Sequence, residues 1–261
     1  MDFGMPTLLE YSSLRENLEL CAKLRLAFVE LNMNLPYCQL SELARHDMLR
    51  AFAAKYGIYF TIHADENLDP FCFNSFVSDA WLQTALAAAD SALAIGAPII
   101  NIHLVRGIYF TLPDRREFLY QSRIDDYLRS VVRFRDALDQ KLNGSDILVC
   151  IENTDGFTDF QLKAIEVMLQ SSHFALTWDI GHSCCADEQD MPFILSNSSR
   201  LRHMHIHDAD CSHCHLPFGT GELPLAQRLN TAAENNCRCV IEVKTSEALS
   251  DSVEYLRSSL L

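Results

Sequence analysis

The feature that most constrains this chain is a regular alternation of short apolar runs with amphipathic segments from one end to the other. The runs lie at 3–9, 26–32, 58–63, 99–104, 147–152, 174–179, 202–207 and 240–244. Each is β-branched or aromatic in character and gives way to polar residues, as strands do. Between them, 14–24, 40–56, 75–95, 117–142, 159–170, 187–196, 225–235 and 246–258 carry helical patterns. Leu82, Leu86, Ala89 and Leu93 recur at helical spacing within an alanine-rich stretch, which favours a helix by propensity and by pattern. Gly57, Gly96 and Gly144 follow helical runs and predict their C-terminal stops. Parallel strands need a long crossover, and a helix after every strand supplies one. Eight such units close into a barrel. The expectation is an α/β protein with a single (β/α)8 TIM-barrel domain over residues 1–261. A doubly wound open sheet would need a phosphate-binding glycine pattern after the first strand, and the sequence has none.

Composition narrows the function. Hydrophobic residues make up 49% and charged residues 21% of the chain, enough for a large core and too apolar for a disordered chain. Basic residues number 21 against 35 acidic ones, a net charge of −14. Such a surface repels phosphate backbones, so nucleic acid is disfavoured as a partner. The densest basic stretch, 115–135, is diluted by Glu117, Asp125 and Asp126. No apolar run is long enough to span a bilayer and no signal-like segment opens the sequence, so a cytoplasmic protein with no membrane partner is expected. The ten cysteines do not form paired CxxC sets and are read as reduced. Cys150, Cys237 and Cys239 fall in apolar strand patterns and read as small core residues. Cys184, Cys185, Cys211 and Cys214 adjoin candidate ligands, where a thiolate ligand and an incidental neighbour are both open readings.

In a TIM barrel the chemistry sits at the C-terminal ends of the strands. Those ends read Glu30 or Asn32, His63, His103, Glu152, Asp179, His205 or His207, and Glu242. These residue types bind Zn²⁺, Mn²⁺ or Fe²⁺. A lone histidine at a strand end is more often a hydrogen-bonded core residue. Glu152 and Glu242 are harder to explain that way. They close the apolar runs DILVCIE and CRCVIE, and a buried carboxylate needs a cation or strong donors. TWDIGH places Asp179 and His182 three apart at a turn. In HMHIHD, strand alternation puts His203, His205 and His207 on one face.

These motifs resemble the xylose-isomerase-like TIM-barrel superfamily of sugar isomerases, sugar epimerases and endonuclease IV phosphodiesterases. The resemblance implies a metal site of Glu152 in IENT, Asp179 in DIGH, His205 in HIHD and Glu242 in IEVK. Similarity to endonuclease IV adds His63, His103, His182 and His215 as ligands, with His213 where that family has an aspartate. ENTDG is also similar to its strand-5 motif. HADENLDPF, in contrast, is shorter than the endonuclease loop after strand 3 and lacks the Tyr-Leu pair inserted into DNA. The arginine that epimerases carry after the strand-7 histidine is missing.

Two activities follow as expectations. The first is a divalent-metal-dependent isomerase or epimerase of a small sugar, sugar phosphate or related polyhydroxy carbonyl compound. Glu152 and Glu242 would exchange the proton, and His182 and Lys244 would bind substrate oxygens, although a solvent-facing lysine at a strand end is as good a reading of Lys244. The second is an endonuclease IV-like phosphoesterase using two or three ions. One to three Zn, Mn or Fe ions per chain cover both. A small molecule is the expected partner, and a homo-oligomer is compatible with either.

Overall fold

A computed structural model describes residues 1–210 and 212–260. Eight parallel strands close into a barrel: β1 (Asp2–Pro6), β2 (Phe28–Asn32), β3 (Tyr59–His63), β4 (Ile99–His103), β5 (Leu148–Glu152), β6 (Phe174–Asp179), β7 (Leu201–Ile206) and β8 (Arg238–Ile241). Each strand pairs with its sequence neighbours, and β1 pairs with β8 to close the ring. The main core lies between the barrel and its helices. The helix Ile124–Leu142 shows why: Tyr127, Val131, Phe134, Leu138 and Leu142 are buried at steps of three and four, a single apolar stripe. Two of the predicted glycine stops cap helices in the left-handed conformation, Gly57 at φ 67° and Gly96 at φ 71°.

The barrel interior is a separate environment. Ile99, Cys150 and Ala175 form a small buried apolar cluster detached from the main core. Two residues further along the same strand faces come Asn101, Glu152 and Thr177, all buried. Strand alternation therefore carries the inward face from an apolar floor to a polar rim at the C-terminal mouth.

The structure departs from the pattern in its connections. The predicted helix 40–56 is two helices, Leu40–Leu43 and His46–Tyr56. The predicted helix 117–142 begins later, because residues Tyr109–Thr111 and Arg116–Phe118 form an antiparallel hairpin after β4. Pro113-Asp114 supplies its turn. After β6 the chain is helical over Ile180–Cys185, then turns through Asp187 and Glu188 at positive φ before the helix Met191–Ser196. Among the described residues no helix is long and apolar enough to cross a membrane.

Phe134 is 1% exposed and meets Phe71 and Phe174 at centroid distances of 5.3 and 6.2 Å. Phe134→Ala is expected to cost about 3–5 kcal/mol of stability through the cavity it leaves, read by urea denaturation.

Candidate metal centre

Four strands deliver four ligand-type side chains to one point of the mouth. Glu152 ends β5, Asp179 ends β6, His205 lies near the end of β7, and Glu242 follows β8. The Glu242 amide extends the ladder by donating to the Ile206 carbonyl at 2.9 Å. Register brings the residues level, with Asp179 directly opposite His205. One ligand atom from each of the four lies within 4.8 Å of the others. Glu152, Asp179 and His205 are fully buried, and the Glu242 side chain is only 14% exposed.

Nδ1 of His205 is 3.0 Å from Oε1 of Glu152 and 3.0 Å from Oε2 of Glu242. Neither approach is aligned for a hydrogen bond, and the nitrogen has no in-line partner among the described residues. Atoms that converge without pointing at each other leave room for a cation between them. Three carboxylates and one imidazole suit Zn²⁺, Mn²⁺ or Fe²⁺, so the residues fit the ion that the sequence implied. Burial opposes ionisation of Glu152, yet the charges of His205 and His103 hold it well below the usual carboxylate range. Glu242 is lowered against its burial by His205 and Lys244. Burial would likewise lower His205, but Glu152, Glu242 and Glu30 raise it well above the ordinary histidine value.

Beneath the four lies a polar layer that the sequence reading did not assemble. Glu30 of β2 reaches across the barrel to β7, placing Oε2 2.9 Å from His203 Nε2 and Oε1 2.9 Å from His205 Nε2. Thr61 donates to the same Glu30 carboxylate at 3.0 Å. Against His205 the Glu30 carboxylate is an ion-pair contact and not an aligned hydrogen bond, since Nε2, like Nδ1, has no in-line partner among the described residues. Its charge lies behind the ring, on the side away from the site. Asn101 donates to Glu152 Oε2 and accepts from Thr177 at 2.6 Å. The alternation of His203 and His205 with Glu30 at a strand end was the available signal.

Two histidine groups flank the centre. On one side, His63 and His103 place Nε2 3.4 and 3.1 Å from Glu152 Oε2, with ring centroids 4.8 Å apart. Burial would lower His63, but its bond to Glu152 raises it to about 9. On the other side are His182, His207 and His215, each with a ring nitrogen within 4.8 Å of the others. His182 Nδ1 meets the Thr154 carbonyl at 3.1 Å and His215 Nδ1 the Glu242 carbonyl at 2.9 Å. Those carbonyls can only accept, so both rings carry the proton on Nδ1 and keep a lone pair on Nε2. Desolvation lowers His215 to about 4, despite the neighbouring Glu242.

His213 is the expected ligand that the structure sets apart. Its side chain is 71% exposed and its ring faces Asp210 at 3.1 Å. Asp210 also accepts from the amides of Ser212 and His213, so a local turn turns the ring outward. His207, not His213, is the histidine packed against His182 and His215. Lys244 is half-exposed and its ammonium lies 2.8 Å from Glu242 Oε1. Both line a cavity of about 360 Å³ with Asn32, Asn34, Leu35 and Glu66. Cys185 Sγ is 3.7 Å from the Asp210 carbonyl, whereas Cys211 lies outside the described residues.

Residues 18–259 match the family described as xylose isomerase-like TIM barrel. The chain belongs to that family. No curated protein matches it. Among solved structures it is similar to a D-tagatose 3-epimerase-like protein, at 20% identity and a TM-score of 0.80 over 98% of this chain and 96% of that one. It is also similar to 3-keto-D-glucoside 4-epimerase from E. coli, at 16% identity and a TM-score of 0.78 over 99% of each chain. D-psicose 3-epimerase from Clostridium cellulolyticum H10, with D-tagatose, gives 12% identity and 0.76 over 99% and 98%. At these identities the structural likeness speaks to the fold.

Glu30→Gln removes the charge behind His205 while keeping the shape. It is expected to weaken metal binding by about 10–100-fold, as outer partners of ligating histidines do, in a chelator-competition titration.

Proposed function

We propose that the protein is a divalent-metal-dependent isomerase or epimerase of a small sugar or related polyhydroxy carbonyl compound. The observation that carries this reading is the pairing of Glu152 and Glu242 around His205 Nδ1, each at 3.0 Å, beside an open cavity. The sugar epimerases among the similar structures add support for a keto-sugar substrate.

A divalent ion held by Glu152, Asp179, His205 and Glu242 would polarise a carbonyl and its adjacent hydroxyl, acidifying the C–H between them. Glu152 and Glu242 come from β5 and β8, so they flank that carbon. One removes its proton and the other returns a proton. Asn101, His63 and His103 hold Glu152 from behind. Lys244 holds Glu242 and lies where it can meet a substrate oxygen. The Nε2 lone pairs of His182 and His215 accept from substrate hydroxyls.

A second reading is phosphoester hydrolysis by two or three ions. It is favoured by one observation, the convergence of His63 and His103 on the oxygen of Glu152 that faces away from His205. Metal count separates the two. Anomalous scattering from crystals grown without chelator should give one peak for the isomerase, and further peaks at His63/His103 or His182/His215 for the hydrolase.

Glu152→Gln and Glu242→Gln should each lose bound metal or turnover with the fold intact; unchanged metal content and activity in both would refute the assignment. Duplex DNA bearing an abasic site should not bind tightly at physiological salt, because a net charge of −14 opposes the electrostatic term. Robust incision at catalytic enzyme levels would instead promote the hydrolase.

A further inference from the structure

His207 is fully buried one residue past the end of β7, beside the four ligands and outside their set. Its tautomer is fixed by its neighbours. The backbone N–H of His215 donates to His207 Nδ1 at 2.8 Å. A nitrogen that accepts from an amide carries no proton, so the proton sits on Nε2. The Asp208 carbonyl is also 3.1 Å from Nδ1. A proton placed there to serve it would be driven against the His215 amide hydrogen, so the amide decides.

Nε2–H then donates to Asp179 Oδ1 at 3.0 Å. The same oxygen accepts from the His182 amide at 2.7 Å. Oδ2 is 3.3 Å from the same Nε2 and 3.9 Å from His205 Nδ1, so Oδ1, with the shorter contact and the amide, is the more engaged oxygen and Oδ2 the freer one for the centre. The ring has its space because residue 181 is glycine: a Cβ there would overlap the imidazole. His215 adopts φ 59°, uncommon for a residue with a side chain. That turn aims its amide at His207 and its ring nitrogen at the Glu242 carbonyl.

We propose that His207 is a positioning residue that sets two things with one ring: the orientation of Asp179 through Nε2–H, and the docking of the loop segment 212–216 at His215 through Nδ1. Neither nitrogen retains a free lone pair, so His207 is not a ligand of a second ion, although it packs with His182 and His215. The inference rests on the metal-centre reading above and adds that the loop and the ligand are ordered together.

Two substitutions separate the two bonds. His207→Asn can place an amide oxygen near Nδ1 and loses the donor to Asp179. His207→Gln can carry an amide donor to Asp179 and loses the acceptor for His215. Cobalt(II) is the probe, with affinity and visible absorption measured on the full chain, together with hydrogen exchange of residues 212–216. His207→Asn should weaken Co²⁺ binding about 10–100-fold and alter its absorption, while the loop stays protected. His207→Gln should bind Co²⁺ close to the unsubstituted protein while the loop exchanges faster. Identical behaviour of the two variants, in both readouts, would overturn the proposal. If the unsubstituted protein failed to bind Co²⁺, the metal-centre reading would fall and this role with it. Co²⁺ binding indifferent to both substitutions would overturn only the role of His207.

Discussion

Three carboxylates held at one buried point repel each other, and everything around the barrel mouth is arranged against that repulsion. Glu152, Asp179 and Glu242 share a pocket in which solvent screens little. His205 stands among them and is pulled strongly towards its charged form. Glu30 answers from below, so the imidazole lies between carboxylates on both sides. An arrangement of this kind is costly for a purely structural barrel, since well-packed apolar residues would fill the space without the desolvation of so many charges. The proposed cation would offset that cost.

The polar layer beneath the ligands links the site to the fold. Glu30 is on β2 and its histidine partners are on β7, which are not neighbours in the sheet. Their contact crosses the interior. The candidate site therefore needs the ring closed, since no single stretch of chain contains both His205 and the carboxylate behind it. Asn101 and Thr177 make a similar chain from β4 to β6, ending on Glu152.

The eight strands and their parallel order were legible because each strand announces itself by an apolar run and each helix by its spacing. The ends of those runs pointed to Glu152, Asp179, Glu242 and one of His205 and His207 as candidate ligands, because barrel chemistry occupies strand termini, and the family resemblance singled out His205. What stayed hidden was set by geometry between distant strands. Glu30 lies near a strand end in the sequence, but only the closed ring turns it towards His203 and His205 and not solvent. His213 and His215 look equivalent in sequence, two residues apart in one loop. Asp210 captures the first, whereas the left-handed turn at His215 directs the second inward. The hairpin after β4 leaves no signal in the sequence because its strands are only three residues each, too short for alternation to register.

That hairpin pairs only with itself. Ile108, Tyr109 and Phe110 stand exposed on it, and Arg116 lies over the Tyr109 ring. Its hydrogen bonds are therefore independent of the barrel ladder, and its length can change without shifting any strand's register. The rim beside the C-terminal mouth is thus mechanically separate from the centre: a longer, shorter or reshaped hairpin would leave Glu152, Asp179, His205 and Glu242 where the barrel puts them.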